Sequence, residues 1–531
     1  MQDMKTRTLI SAVFTALLVL STASCDKYLD VMPDNRAEID TESKVISLLT
    51  SAYPDRAFAT VTELMSDNAD DYGVTYIGTD RFADQTWSWE EITEDYDENP
   101  EGLWSAYYMA IANANHALQA IEDMGGATTT ALQQAKAEAL LCRAYCHFML
   151  VNLFSYAYSK ETSATDLGIP FMSKPETELN PKYKRGNVAE VYEKIGQDLE
   201  EALPLVGDAN YTVPKYHFNA SAAYAFAARY YVYTEQWQKA VNAASTCLGS
   251  SPKSKLRNWA ELGSNPSSTT YDVMKYLYID ATANANFLML AAWSQVAVFC
   301  GPYSSFSKYS HGSYIASTED FFAGMPWGEI DTQQYYYAPK VYTGALDRVT
   351  LWTLPYLFEY TDPVAGIGYP HTVYPAFFAE ETLLNRIEAN IMLGNYTDAV
   401  DDLNLWASNT FNNAQRMTKE SIIDFIKGKE YYSSDKPTLK KHLHPTFAWD
   451  GEGSDQEALL QFLLYARRIE TQGQGFRWFD IKRYGIEIER RIMSPDGDVQ
   501  KVSDVLSVKD PRRAIQVPKK VYDAGLEKNP R

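Results

Sequence analysis

The chain has 531 residues, 46% of them hydrophobic, and its 69 acidic side chains against 48 basic ones give a formal net charge of −21. Such a surface repels polyanions, which excludes nucleic acid and anionic lipid headgroups as partners. Five cysteines are too few to scaffold a chain of this length, so a hydrophobic core must hold the fold.

At the amino terminus, Lys5 and Arg7 precede an apolar run, Leu9–Leu20, that is too short to span a bilayer. Small residues Thr22-Ala23-Ser24 then lead to Cys25. The pattern predicts an export signal over residues 1–24 and lipidation at Cys25, so the mature chain is expected on a membrane surface, held by acyl chains.

Further on, Asp67-Asn68-Ala69-Asp70-Asp71-Tyr72, continuing through Arg81 to Trp87-Ser88-Trp89, interleaves polar and aromatic residues without helical period. Irregular surface segments of this kind commonly carry binding groups. Asp95, Asp97 and Asn99 imitate the first ligands of a calcium loop, but Pro100 replaces the needed Gly and Ala106 stands where the bidentate Glu belongs. A nonstandard calcium site is the one ion reading this leaves; no other metal and no cofactor is expected.

Apolar residues then recur at steps of three and four. Tyr107, Ile111, Ala114, Leu118 and Ile121 form one stripe; Leu140, Ala144, Phe148 and Val151 a second; Ala223, Phe226, Tyr230, Tyr233 and Trp237 a third. Cys142 and Cys146 sit inside the second as small buried hydrophobes. A fourth stripe, Leu384, Ile387 and Ile391, stops at Leu393-Gly394-Asn395 and is followed by Ala399, Leu403 and Trp406, which predicts a helical hairpin turned at Gly394. Small residues at Ala227, Ala228, Ala240, Ala389 and Ala399 make these hairpins resemble tetratricopeptide repeats. The units are degenerate and carry no steady period.

Between the third and fourth stripes, residues 271–360 hold 21 aromatics in 90 positions, against 13% aromatic for the whole chain. Trp293, Tyr303, Trp327, Tyr335-Tyr336-Tyr337 and Trp352 are candidates for a platform on which flat sugar faces stack, with Asp, Asn or Arg bonding the hydroxyls.

Motifs for catalysis are thin. Glu90-Glu91 and Glu380-Glu381 read as helix-surface charge rather than as a spaced catalytic pair. His442-Leu443-His444 runs into Pro445 with no further ligand spacing. Gly473-Gln474-Gly475 follows a helical segment rather than a strand, so it reads as a turn, with Arg477 and Trp478 fastening the next helix.

Several separated stretches resemble the SusD/RagB-like nutrient-binding lipoproteins of Gram-negative gut bacteria. They are Cys25-Asp26-Lys27-Tyr28-Leu29-Asp30; Arg143-Ala144-Tyr145 through Phe148, Leu150 and Phe154, then Gly168-Ile169-Pro170; Arg468, Glu470, Gly473, Gly475 and Phe476-Arg477-Trp478-Phe479-Asp480-Ile481-Lys482-Arg483; and Asp510-Pro511-Arg512, Val517-Pro518 and Asn529-Pro530. The resemblance implies a surface-exposed outer-membrane lipoprotein that is not an enzyme, binds an oligosaccharide, and delivers it to a SusC-like TonB-dependent barrel transporter. Some relatives bind peptides, and a purely structural lipoprotein is a further alternative.

Together these readings predict a mainly α fold, a degenerate tetratricopeptide-like scaffold with irregular aromatic-rich insertions. The expected layout is a signal over 1–24 and one domain over 25–531, with scaffold at about 100–250 and 375–410, a ligand-bearing insertion at about 255–375, and the family signature at about 458–531. The expected ligand contacts are Asn68, Asp70, Tyr72, Arg81, Trp87, Trp89, Trp293, Tyr303 and Trp327, with Trp87, Trp89, Trp293 and Trp327 as a stacking arc.

Overall fold

The computed structural model describes residues 39–76, 80–178, 181–266, 270–301, 307–342 and 346–531. Cys25 with the segment predicted as an export signal, and Tyr303, lie outside the described residues. Glu42–Arg531 make up one compact unit, and the elements of the fold lie within it.

The fold is mainly helical. Its principal helices are α1 (Pro100–Asp123), α2 (Thr130–Phe154), α3 (Val188–Ala202), α4 (Ala220–Tyr233), α5 (Trp237–Leu248), α6 (Ala379–Met392), α7 (Tyr396–Thr410) and α8 (Asp455–Glu470). They stack in the order α1, α2, α3 and, in a second run, α4, α5, α6, α7, with α8 against α6. Caps set the starts: Asn99 accepts from the Gly102 N–H before α1, and Asn187 forms a capping box with Glu190 before α3. Gly394, at φ +76°, turns α6 into α7 as the sequence predicts.

The third stripe is two helices, not one. Thr234 caps α4, Glu235 takes a left-handed φ of 58°, and Trp237 opens α5. A step across the break that kept the helical spacing mimicked continuity.

The insertion is less irregular than its composition suggests. The main strands in chain order are β1 (Asp70–Asp71), β2 (Asn286–Trp293), β3 (Tyr309–Ser310), β4 (Leu357–Asp362), β5 (Ile367–Phe378), β6 (Ile488–Met493) and β7 (Val499–Leu506). One sheet runs β2-β5-β4, all antiparallel; a second runs β3-β1-β6-β7, and Lys340–Tyr342 pairs with Arg348–Thr350 in a small third. In β2 the apolar run Phe287-Leu288-Met289-Leu290 is buried on both faces, so this edge strand is covered by other parts of the fold. β5 leads directly into α6, tying the first sheet to the helical scaffold.

That junction corrects one expectation. Glu380 and Glu381 are buried rather than on a helix surface: the Arg257 N–H donates to Glu380, and Arg229 pairs with Glu381 at 3.0 Å. The first turn of α6 points into the core, where the Arg229 guanidinium and the Arg257 backbone N–H offset part of the cost of burying carboxylates.

Candidate functional site

Much of the family-like signature lies in the interior as an ion-paired core. Glu319 accepts from Arg491 at 2.5 Å, Lys441 at 2.5 Å and Arg468 at 2.9 Å. Burial alone would raise its pKa, but the three cations hold it well below the ordinary carboxylate range. Arg477 grips Asp67 through two bonds of 2.8 Å, and Arg491 bonds Asp70 at 2.8 Å. Gly473 and Gly475, at φ +81° and +83°, make the turn before the helix Arg477–Arg483; a Cβ on Gly475 would lie 2.3 Å from Thr62 Oγ1. At the carboxyl end, buried Asn529 donates to the carbonyls of Phe154 and Ile515, and Arg185 donates to Asn529.

This core absorbs most of the first predicted binding segment. Asn68 donates to Glu63 and accepts from Arg468, both at 2.9 Å. Trp87 donates to the Ala69 carbonyl and stacks on Tyr309 at 4.7 Å. Trp89 donates to the Met65 carbonyl, with the Arg490 guanidinium 3.8 Å from its ring. Asn68, Asp70, Tyr72, Trp87 and Trp89 are all buried, so their rings and polar atoms face protein instead of solvent. Arg81 is exposed and pairs with Glu94 at 3.5 Å. Trp327 packs edge-on against Phe411, and Tyr335 and Tyr337 are buried. The four tryptophans therefore do not gather into one arc: Trp87 and Trp89 flank Arg490, Trp327 joins Phe411, and Trp293 lies elsewhere.

Trp293 lines an open cleft of about 1200 Å³ between the start of α1, residues 50–56 and the edge strand β2. The segment before α1 is shaped by Glu98, whose buried carboxylate accepts from Thr60 at 2.8 Å, Ser294 at 2.7 Å and the Gln295 N–H at 2.8 Å. With no cation against it, burial pushes this carboxyl up to about 7. Tyr96 stands edge-on to Trp293 at 6.0 Å. Arg56 lies 5.7 Å from the Trp293 ring and pairs with Asp55 at 3.1 Å and Asp97 at 3.5 Å. At the other end are Tyr216, 39% exposed, and Met109, 64% exposed. Beneath them, Tyr53 donates to buried Glu138 at 2.6 Å and His217 contacts it at 2.8 Å.

The calcium reading does not survive this geometry. Asn99 spends its carboxamide on the α1 cap and the Glu94 carbonyl, and Asp97 faces Arg56. Among the described residues no group of three or more His, Cys, Asp or Glu could hold a metal ion. His442 pairs with Glu452 and stacks on Tyr431.

The cleft combines half-open rings with carboxylates and a guanidinium on the rim. Of the expected contacts among the described residues, only Trp293 lines it. Arg56, Asp55 and Tyr216 went unsuspected because they come from segments far apart in sequence, each without local pattern.

Comparison with known proteins agrees with the architecture. A SusD-like family model, described as "Starch-binding associating with outer membrane", matches residues 27–232. No curated protein matches the sequence. A SusD superfamily protein from Bacteroides thetaiotaomicron is 18% identical with a TM-score of 0.56, covering 93% of this chain and 100% of its own. A SusD-like protein from Bacteroides fragilis is 16% identical at TM-score 0.60, covering 93% and 98%. A SusD-like carbohydrate binding protein from Bacteroides vulgatus is 15% identical at TM-score 0.57, covering 91% and 96%. Residues 27–232 thus match a SusD-like family model, and the chain shares the mainly helical fold of these SusD-superfamily structures. Among the described residues no helix is long and apolar enough to cross a membrane.

Proposed function

We propose that this protein captures an oligosaccharide noncovalently in the cleft beside Trp293, as an outer-membrane surface lipoprotein anchored through Cys25, and passes it to a SusC-like TonB-dependent barrel transporter. Binding rests on ring stacking and hydrogen bonds, without bond cleavage. The observation that carries the reading is the half-open indole of Trp293 beside Arg56, Asp55 and Asp97, since a sugar offers a flat C–H face for the ring and hydroxyls for the rim. The family description of starch binding, and a relative named as carbohydrate binding, support the same ligand class.

Calorimetric titration with malto-, cello-, xylo- and manno-oligosaccharides tests it. At least one series should bind, and Trp293→Ala should weaken that binding by about tenfold or more. Failure of every series, or an unaffected Trp293→Ala, overturns the reading. One observation favours a peptide ligand instead: β2 is an edge strand whose Met289–Ala291 stretch lines the cleft, where an extended peptide could add a strand. Peptides co-purifying with the protein from outer membranes, together with silence toward every sugar, would favour that ligand.

A further inference from the structure

Beside the cleft, the strand that carries Trp293 pairs with the hairpin of β4 and β5. In the antiparallel pairing of β2 with β5, Trp293 stands opposite His371. Opposite residues share a sheet face, and a period of two puts Tyr369 on that same face. Trp293, His371 and Tyr369 thus form a row leading from the cleft out along the hairpin. The last two rings lie 6.3 Å apart, centroid to centroid, at 58°. Across the next pair, Glu359 faces Tyr369 and bonds its hydroxyl, which is also within electrostatic reach of Arg56 and Asp55 on the cleft rim.

Two features of this row call for an occupant. Tyr369 is 36% exposed, on a hairpin that projects far enough to leave Val364 at its tip 100% exposed. His371 Nδ1 is shielded from solvent yet meets no hydrogen-bonding group among the described residues, although an imidazole nitrogen so placed ordinarily finds one.

We propose that Tyr369 and His371 form a second subsite continuous with Trp293, so that the protein selects glycan chains spanning several rings over mono- and disaccharides. This rests on the carbohydrate reading above and adds the length of ligand that the site takes.

The test is the dependence of affinity on chain length, measured by calorimetry on the full-length protein with the two- to six-unit members of whichever neutral series binds. The wild type should gain at least about tenfold between disaccharide and hexasaccharide. Tyr369→Ala should bring that ratio close to one, Tyr369→Phe should keep most of it by keeping the ring, and Val364→Ser at the hairpin tip should leave it unaltered. Binding with no length dependence, or a length gain that survives in Tyr369→Ala, overturns the subsite while leaving the carbohydrate reading standing. Silence toward every series overturns the carbohydrate reading and the subsite together.

Discussion

The ion-paired core around Glu319 and the cleft around Trp293 are built from the same residue types, Asp, Glu, Arg, Trp and Tyr. In the core, nearly every charge meets an opposite charge and every ring is covered; Trp89 lies between Arg490 and Arg512. In the cleft, one guanidinium serves two carboxylates, and Trp293, Tyr216 and Met109 keep part of their surface in water. The contrast shows that an aromatic and acidic sequence becomes structure where distant arginines match it, and becomes a ligand surface where they do not.

The largest expected effects test the first half of that contrast. Glu319→Gln leaves Arg468, Arg491 and Lys441 buried around a neutral amide, and breaking a buried charge set in this way costs about 3–5 kcal/mol. Chemical denaturation should show that loss. Trp89→Ala, which opens a cavity beside Arg490 and leaves the Met65 carbonyl with only its Arg490 donor, should cost about 3–5 kcal/mol while leaving glycan affinity per folded molecule unaltered. A Trp89→Ala protein that keeps its stability but loses ligand would place Trp89 in the site and erase the distinction between the two regions.

A smaller effect compares two buried carboxylates of opposite character. Glu319 has cations against it and its pKa is depressed, so its stabilisation is present above the ordinary value of 4.5 and is lost as pH falls through the folded value. Glu98 meets only neutral donors and sits at about 7, so the folded state binds the extra proton between 4.5 and 7. Its contribution is present below 4.5 and is lost as pH rises to about 7, a change on the order of 3 kcal/mol. Denaturation from pH 4.5 to 7.5 should show a downward contribution of this size in the wild type that Glu98→Gln lacks, while buried Glu470, pushed up to about 8, keeps its own share in both proteins. An unchanged slope in the variant would reject Glu98 as its source.

Legibility in the sequence divides along the same line. The 3.6-residue stripes and Gly394 give the scaffold, because helix periodicity and a left-handed turn are local properties. Arg468, Gly475 and Arg477 stand out as a recognisable signature because the core they build admits few substitutes. The cleft is harder to read, since Arg56, Tyr216 and Trp293 lie on three segments that only the fold unites. Asn68, Asp70, Trp87 and Trp89 misled for a related reason. Interleaved acids and rings look the same in sequence whether they face water or face Arg468, Arg490 and Arg491, some 400 residues later.

The smallest expected effect concerns charge on the ligand. Asp55, Asp97 and Glu101 line the cleft with side-chain exposures of 73%, 50% and 38%; Arg56 is already shared between the first two, and Glu101 pairs with Lys520. A uronate-bearing oligosaccharide therefore meets net repulsion, but water and salt screen charges so exposed, which limits the penalty to about 1 kcal/mol. The screening itself supplies the measurement. At low ionic strength a neutral oligosaccharide should bind a few-fold more tightly than its uronate counterpart of equal length, and at about 0.5 M salt, where the Debye length falls to about 4 Å, the two should converge. Tighter binding of the uronate at low salt would mean that Arg56 leaves its carboxylates to meet the ligand, and the cleft would then be an anion site whose matching charges are supplied by the sugar.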